Sequence, residues 1–199
     1  AWESRAVRLI LRGHVGRTYK VNYLWSLEYN GLKYLDTQLW QVADFAFAFP
    51  LTDTGRTKLA VGKMKEPFSY EMVGDAANLP HQERILNPFF QSRNIGLQLT
   101  HITEDQKSTF RWGVFNDSRF ETGDFDEGDW QSAARITRLL LDDPDKGRYL
   151  HVGVAGRYLG AAGDGLRYRG RPASNVTSNF VDTGTLAADH AWHAGDEAL

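Results

Sequence analysis

Basic residues alternate with apolar or aromatic ones in several runs of this 199-residue chain, and that two-residue period constrains the fold most. Leu166-Arg167-Tyr168-Arg169-Gly170-Arg171 is the clearest run; Val7-Arg8-Leu9-Ile10-Leu11-Arg12 and Phe110-Arg111-Trp112 share the pattern. Side chains alternate between the two faces of a β-strand, so each run sends its guanidinium groups one way and its apolar groups the other. The charged face looks either at water around a sandwich or at the inside of a barrel whose outer face lies in lipid.

Composition narrows the choice by exclusion. No apolar run approaches the roughly 18 residues of a membrane-spanning helix, but alternating barrel strands never give such a run, so a transmembrane barrel stays open. The absence of cysteine excludes disulfides, thiolate metal sites and a cysteine nucleophile. A net charge of -2 argues against a nucleic-acid partner. Ala1 lies almost against the first strand, with no basic segment and apolar stretch before it, and Gly195–Leu199 does not read as a finished strand. Both ends are expected to be cut.

The period predicts about ten strands in a single domain. They cover Glu3–Arg12, Thr18–Tyr29, Thr37–Ala48, Thr57–Met64, Asn94–Ile102, Ser108–Phe115, Gln131–Leu141, Arg148–Leu159 and Leu166–Arg171, with a last one beginning near Phe180. In the third, Ala43, Phe45 and Phe47 are expected to point out and Asp44 in. Gly13–Arg17, Thr103–Lys107 and Asp142–Gly147 read as tight turns, whereas Lys65–Arg93 and the acidic Asn116–Asp129 are long connections. Short and long connections mostly fall at opposite ends, as in an outer-membrane barrel, although Pro172–Asn179 is longer than that rule predicts.

Alternation alone leaves a soluble antiparallel sandwich and a barrel level. The aromatic face of Thr18–Tyr29, with Tyr19 and Tyr29 at its ends, suits interfacial girdles. Strands of about ten residues suit a tilted crossing of a bilayer. Gly96, Gly113 and Gly153 on the polar faces suggest a wall with room beside it.

The stretch Leu59-Ala-Val-Gly-Lys-Met-Lys-Glu-Pro-Phe-Ser-Tyr-Glu71 is more specific. Together with Glu83-Arg84, Arg93-Asn-Ile-Gly-Leu-Gln-Leu99, Ala134-Arg135-Ile-Thr-Arg138, His151-Val-Gly153, Arg169-Gly-Arg-Pro172 and Phe180-Val-Asp-Thr-Gly184, it resembles the phosphate-selective porin O and P family. The resemblance implies an all-β fold, an antiparallel transmembrane β-barrel of about 16 strands in the outer membrane, assembled as a homotrimer. This chain would be an incomplete porin. The resemblance further implies that residues 65–93 fold inward as a constriction loop, with Lys63, Lys65, Arg84 and Arg93 as candidates to face it.

In such a barrel the polar faces line water, and ten bases fall on the faces read as inward: Arg8, Arg12, Lys20, Lys58, Arg111, Arg135, Arg157, Arg167, Arg169 and Arg171. Only Glu28 and Asp44 oppose them among strand carboxylates, so the near-neutral net charge conceals bases in the wall and acids in the loops. Rows of Arg and Lys favour anions, and guanidinium offers a dehydrating phosphate a fork of replacement donors. The expectation is a passive channel for inorganic anions, phosphate or polyphosphate above all, with no cofactor and no enzymatic activity. A non-selective or carbohydrate-admitting porin is the alternative, and a soluble sandwich would instead bury Tyr23, Trp25 and Trp112. Lipid and lipopolysaccharide are the expected surroundings, and the acidic loop (Glu121, Asp124, Asp126, Glu127, Asp129) is either solvated or binds divalent cations there.

Other constellations carry less. Asp189, His190 and His193 have a spacing that suits a metal only on a helix, where a strand or loop is expected. Ser69, His81 and Glu83 are hydrolase residue types without a nucleophile-elbow motif. Asn175-Val-Thr177 matches a glycosylation sequon, which means little in a bacterium.

Overall fold

The computed structural model describes residues 7–29, 39–74, 93–116, 130–161, 165–170 and 178–199. Eight strands follow one another as an up-and-down meander: β1 (Val7–Val15), β2 (Val21–Tyr29), β3 (Trp40–Pro50), β4 (Thr57–Met64), β5 (Asn94–Ile102), β6 (Ser108–Asn116), β7 (Trp130–Asp143) and β8 (Arg148–Gly160). A two-stranded ribbon, β9 (Arg169–Gly170) and β10 (Val181–Asp182), precedes β11 (His190–Ala198). β11 pairs with β8 and completes a nine-stranded antiparallel sheet whose edges, β1 and β11, are not joined.

Two expectations change here. Leu166–Arg171 is not a strand of the wall: β9 pairs only with β10, and Leu166 bridges Leu186 within the connection from β8 to β11. The last long strand begins at His190 rather than near Phe180. With Leu166–Arg171 removed, the connections sort cleanly. Residues 16–20, 51–56, 103–107 and 144–147 are short and lie at one end of the sheet. The longer connections, 30–39, 65–93, 117–129 and 161–189, join strand ends at the other. Pro172–Asn179 falls between β9 and β10 rather than between two strands of the wall, and its residues 172–177 lie outside the described ones.

Register assigns the faces. Leu9, Leu27 and Val42 share one row, Trp25 and Phe45 another, and Val61, Leu97 and Val114 a third, all on the outer face. At the long-connection end this face carries Tyr29 against Trp40 and Tyr158 against Trp192, each pair with ring centroids 4.9 Å apart, and the exposed Trp130. Among the polar groups in these rows, Trp112 Nε1 donates to Ser132 Oγ at 3.1 Å, while the carboxylate of Asp196 also lies outward. Trp25 and Trp112 are 37% and 45% exposed, and a soluble sandwich would have buried them. So large an exposed apolar face belongs against lipid.

β3 departs from the expected alternation. Asp44 pairs with Ser26, but Val42 pairs with Leu27, so Ala43 is an extra residue in a β-bulge. Val42, not Ala43, therefore faces outward, and Ala43 is buried. A second bulge between Leu139 and Leu141 breaks the Leu139-Leu140-Leu141 run of β7.

The inner face is not a bare wet wall. Gly96 and Gly113 flank Phe115, and a Cβ on either would come within 2.7 Å of its ring. The ring fills the room that the glycines leave. Phe115 joins Ala46, Met64 and Ala133 in a small dry cluster with Ala60 beside it.

Candidate functional site

The chain leaves β4 inward. Gly62 holds φ +127, where a Cβ would strike the Phe45 carbonyl, so glycine permits the turn away from the pleat. Glu66, Pro67 and Phe68 are then buried against the inner face, followed by one helical turn, α1 (Tyr70–Val73). Lys65 Nζ donates to the Gly74 carbonyl at 2.7 Å and closes residues 65–74 on themselves. This strap crosses a long way: Glu66 lies 2.8 Å from Arg157 Nε on β8, four strand spacings or roughly 19 Å from β4. Asn94 donates to Glu66, and Gln131 Oε1 accepts from both Asn94 and Arg157. Phe68 packs on Ala155 and meets His193 edge-on at 6.1 Å.

Ion pairs therefore occupy much of the charge assigned to an open pathway. Arg157 is 2% exposed and closed over by the strap, so it is not an open lining residue. Arg8 holds Glu28 at 2.6 Å. Arg93 Nε donates to Asp44 at 2.8 Å, and Asp44 accepts a second bond from Ser26 Oγ at 2.6 Å. Arg135 pairs with Glu197 across the intervening β8, and His151 Nδ1 lies 3.8 Å from the same carboxylate. Gly153 makes this crossing possible, since a Cβ there would lie 2.6 Å from Glu197 Oε1. Glu66 and Glu197 are the acids that strand alternation missed, so Glu28 and Asp44 are not the only carboxylates against the basic wall.

Cross-strand pairing lines up Arg135 with two further bases. Lys58 stands opposite Thr100, Thr100 opposite Arg111, and Arg111 opposite Arg135. Three bases thus occupy one row across four adjacent strands, roughly 14 Å wide. Arg111 is half-buried, and its Nε has no hydrogen-bond partner among the described residues. Among the described residues only Arg135 in this row has a carboxylate partner. Two guanidinium groups facing each other, with the one acid on the far side of Arg135, leave a positive excess.

The other candidates are scattered. Arg12 and Lys20 are exposed near the short-turn end. Lys63 stands across from Phe45 and Ile95, in the row of the outer face, yet past Gly62 it is within electrostatic reach of Asp44 and Arg93. Arg138 is also outward, at the short-turn end, donating to Ser108 Oγ at 2.8 Å. Arg167 and Arg169 lie outside the nine-stranded sheet, in its β8–β11 connection, so the clearest alternating run does not line the wall. Arg167 grips Asp182 with both arms of its fork, at 2.8 and 2.6 Å. That fork, with the Gly184 amide, holds the Asp182 carboxyl down to about 2. His190 and His193 fall on opposite faces of β11, and His193 Nε2 lies 3.0 Å from the Tyr168 hydroxyl. Arg84, Arg171, His81, Glu83, Asn175–Thr177 and the acidic loop lie outside the described residues.

The comparisons agree with this architecture. The model of the family described as phosphate-selective porin O and P matches residues 1–198. No curated protein and no solved structure gives a significant match. An antiparallel meander with an apolar outer face, an inward strap and a family match along its whole length lead to one conclusion: the chain belongs to the phosphate-selective porin O and P family.

Proposed function

We propose that this protein forms an outer-membrane channel through which anions diffuse passively, phosphate or polyphosphate being favoured. The observation that carries this reading is the row Lys58–Thr100–Arg111–Arg135, in which three bases meet one carboxylate. A dehydrating anion needs donors already in place, and Arg111 Nε, unpartnered among the described residues, supplies one beside a second guanidinium. Because Glu197 already holds Arg135, the row is only partly unneutralised. That suits conduction, which requires sites an ion can leave as well as enter. Lys65 and Arg93, at the two described ends of the strap, act in this reading through its position rather than as open ligands.

Planar-bilayer recordings of the whole protein test the proposal. Phosphate should reduce the chloride current, and Arg111→Ala should raise the half-blocking concentration by about tenfold, the loss of one charge contact in a partly hydrated site. Cation-selective currents, or a chloride current indifferent to phosphate, would overturn it. Indifference of anion selectivity to Arg111→Ala would favour the non-selective alternative.

A further inference from the structure

The Lys-Glu-Pro-Phe stretch does more than end a strand. We infer that Glu66 is a positioning residue: its carboxylate, seated on Arg157, fixes the inward strap and with it the aperture of the channel. The inference rests on the channel reading for its electrical consequence, but not for its structural one.

The geometry is that of a lock. Glu66 and Arg157 are 1% and 2% exposed, so both charges have lost their water. Buried charges are tolerated only when paired and hydrogen-bonded, and here Asn94 and Gln131 complete the set from β5 and β7. Four groups from four places in the chain meet at one point. Phe68 next to it adds an apolar contact with Ala155 and His193. The returning leg of the same connection is pinned in the reciprocal sense. There the strap contributes the base, Arg93, and the wall contributes the acid, Asp44. One leg is held on β8 and the other on β3, on opposite sides of the strands between them.

Such a pair contributes position more than net stability, because desolvation offsets much of its attraction. Removing one partner is different, since it strands the other charge in a dry site. Glu66→Gln keeps an acceptor for Asn94 and deletes only the negative charge that faces Arg157. The strap should then open more often while the wall keeps its ladder hydrogen bonds.

Hydrogen exchange on the whole protein in detergent reads this directly. In Glu66→Gln, amides of residues 65–74 should exchange faster by on the order of a hundredfold, the consequence of removing one charge of a buried pair. Amides of β5–β7 should keep their protection. Bilayer recordings should show a larger conductance with several levels in place of one. Unchanged exchange over residues 65–74 with an intact barrel overturns the inference. If Glu66→Gln does not fold, Phe68→Ala, which leaves the wall charges untouched, is read by the same exchange measurement, and unchanged exchange there also overturns it. A wild-type protein without channel current would defeat the proposed function while leaving the exchange result to decide the lock.

Discussion

Leu97 offers the sharpest test of which face meets lipid. It is the fourth residue of the nine-residue β5, 48% exposed, between Val61 and Val114 in an outward row. At a tilt of about 45° each residue advances roughly 2.4 Å through the bilayer, so Leu97 lies within about 3 Å of the strand's mid-depth. An arginine there costs about 2–4 kcal/mol, the value for a cation on the lipid face near the midplane. That is a factor of roughly 30 to 1,000 in the folding equilibrium. Leu24 is the matched control: also the fourth residue of a nine-residue strand, 36% exposed, but on the inner face opposite Arg12 and Ala46. Leu24→Arg adds repulsion from Arg12 of no more than about 1 kcal/mol in a watery lumen. Both variants would be folded into short-chain phosphatidylcholine vesicles and titrated with urea while tryptophan fluorescence is followed. Equal losses, or a milder effect at Leu97, would refute the assignment of faces.

Two further outcomes follow from local geometry. Asp182 is depressed to about 2 by the Arg167 fork, so its contribution to the β9–β10 ribbon is present above the unfolded carboxylate range. It is lost only as pH falls through about 2; a carboxyl titration of Asp182 by NMR with a midpoint near 4 would contradict the fork. Gly113→Val would push a branched side chain into the Phe115 ring, 2.6 Å from the ideal Cβ position. The expected loss is about 1–3 kcal/mol in the same urea assay, and a neutral result would mean that Phe115 is free to move aside.

Strand positions were legible because a two-residue period survives wherever water and lipid face each other across one layer. Thr57–Met64 and Asn94–Ile102 have the expected bounds for that reason. The Leu166–Arg171 run was misleading because a short ribbon in a connection has the same alternation. Nothing in the run itself reveals that Asp182 captures Arg167. β11 was hard to see because Ala194 and Asp196 blur its outward face, and Glu197 was missed with it. Row formation among Lys58, Arg111 and Arg135 depends on register across three connections, which no local pattern encodes. Glu66 stood in plain view within a motif, but its partner Arg157 is 91 positions away, on a strand four spacings distant.

The bulge at Ala43 has a consequence for how this sequence can change. Along most of a strand, losing one residue would exchange the water-facing and lipid-facing sets, so length can vary only two residues at a time. Ala43 is where the count is already odd. Its removal would place Val42 next to Asp44 in ordinary alternation, so Trp40 and Val42 would stay outward, Gln41 inward, and Phe45 and Phe47 would keep their places. At this alanine β3 can lose a single residue and keep every face, whereas a single loss elsewhere along it would turn part of the strand over.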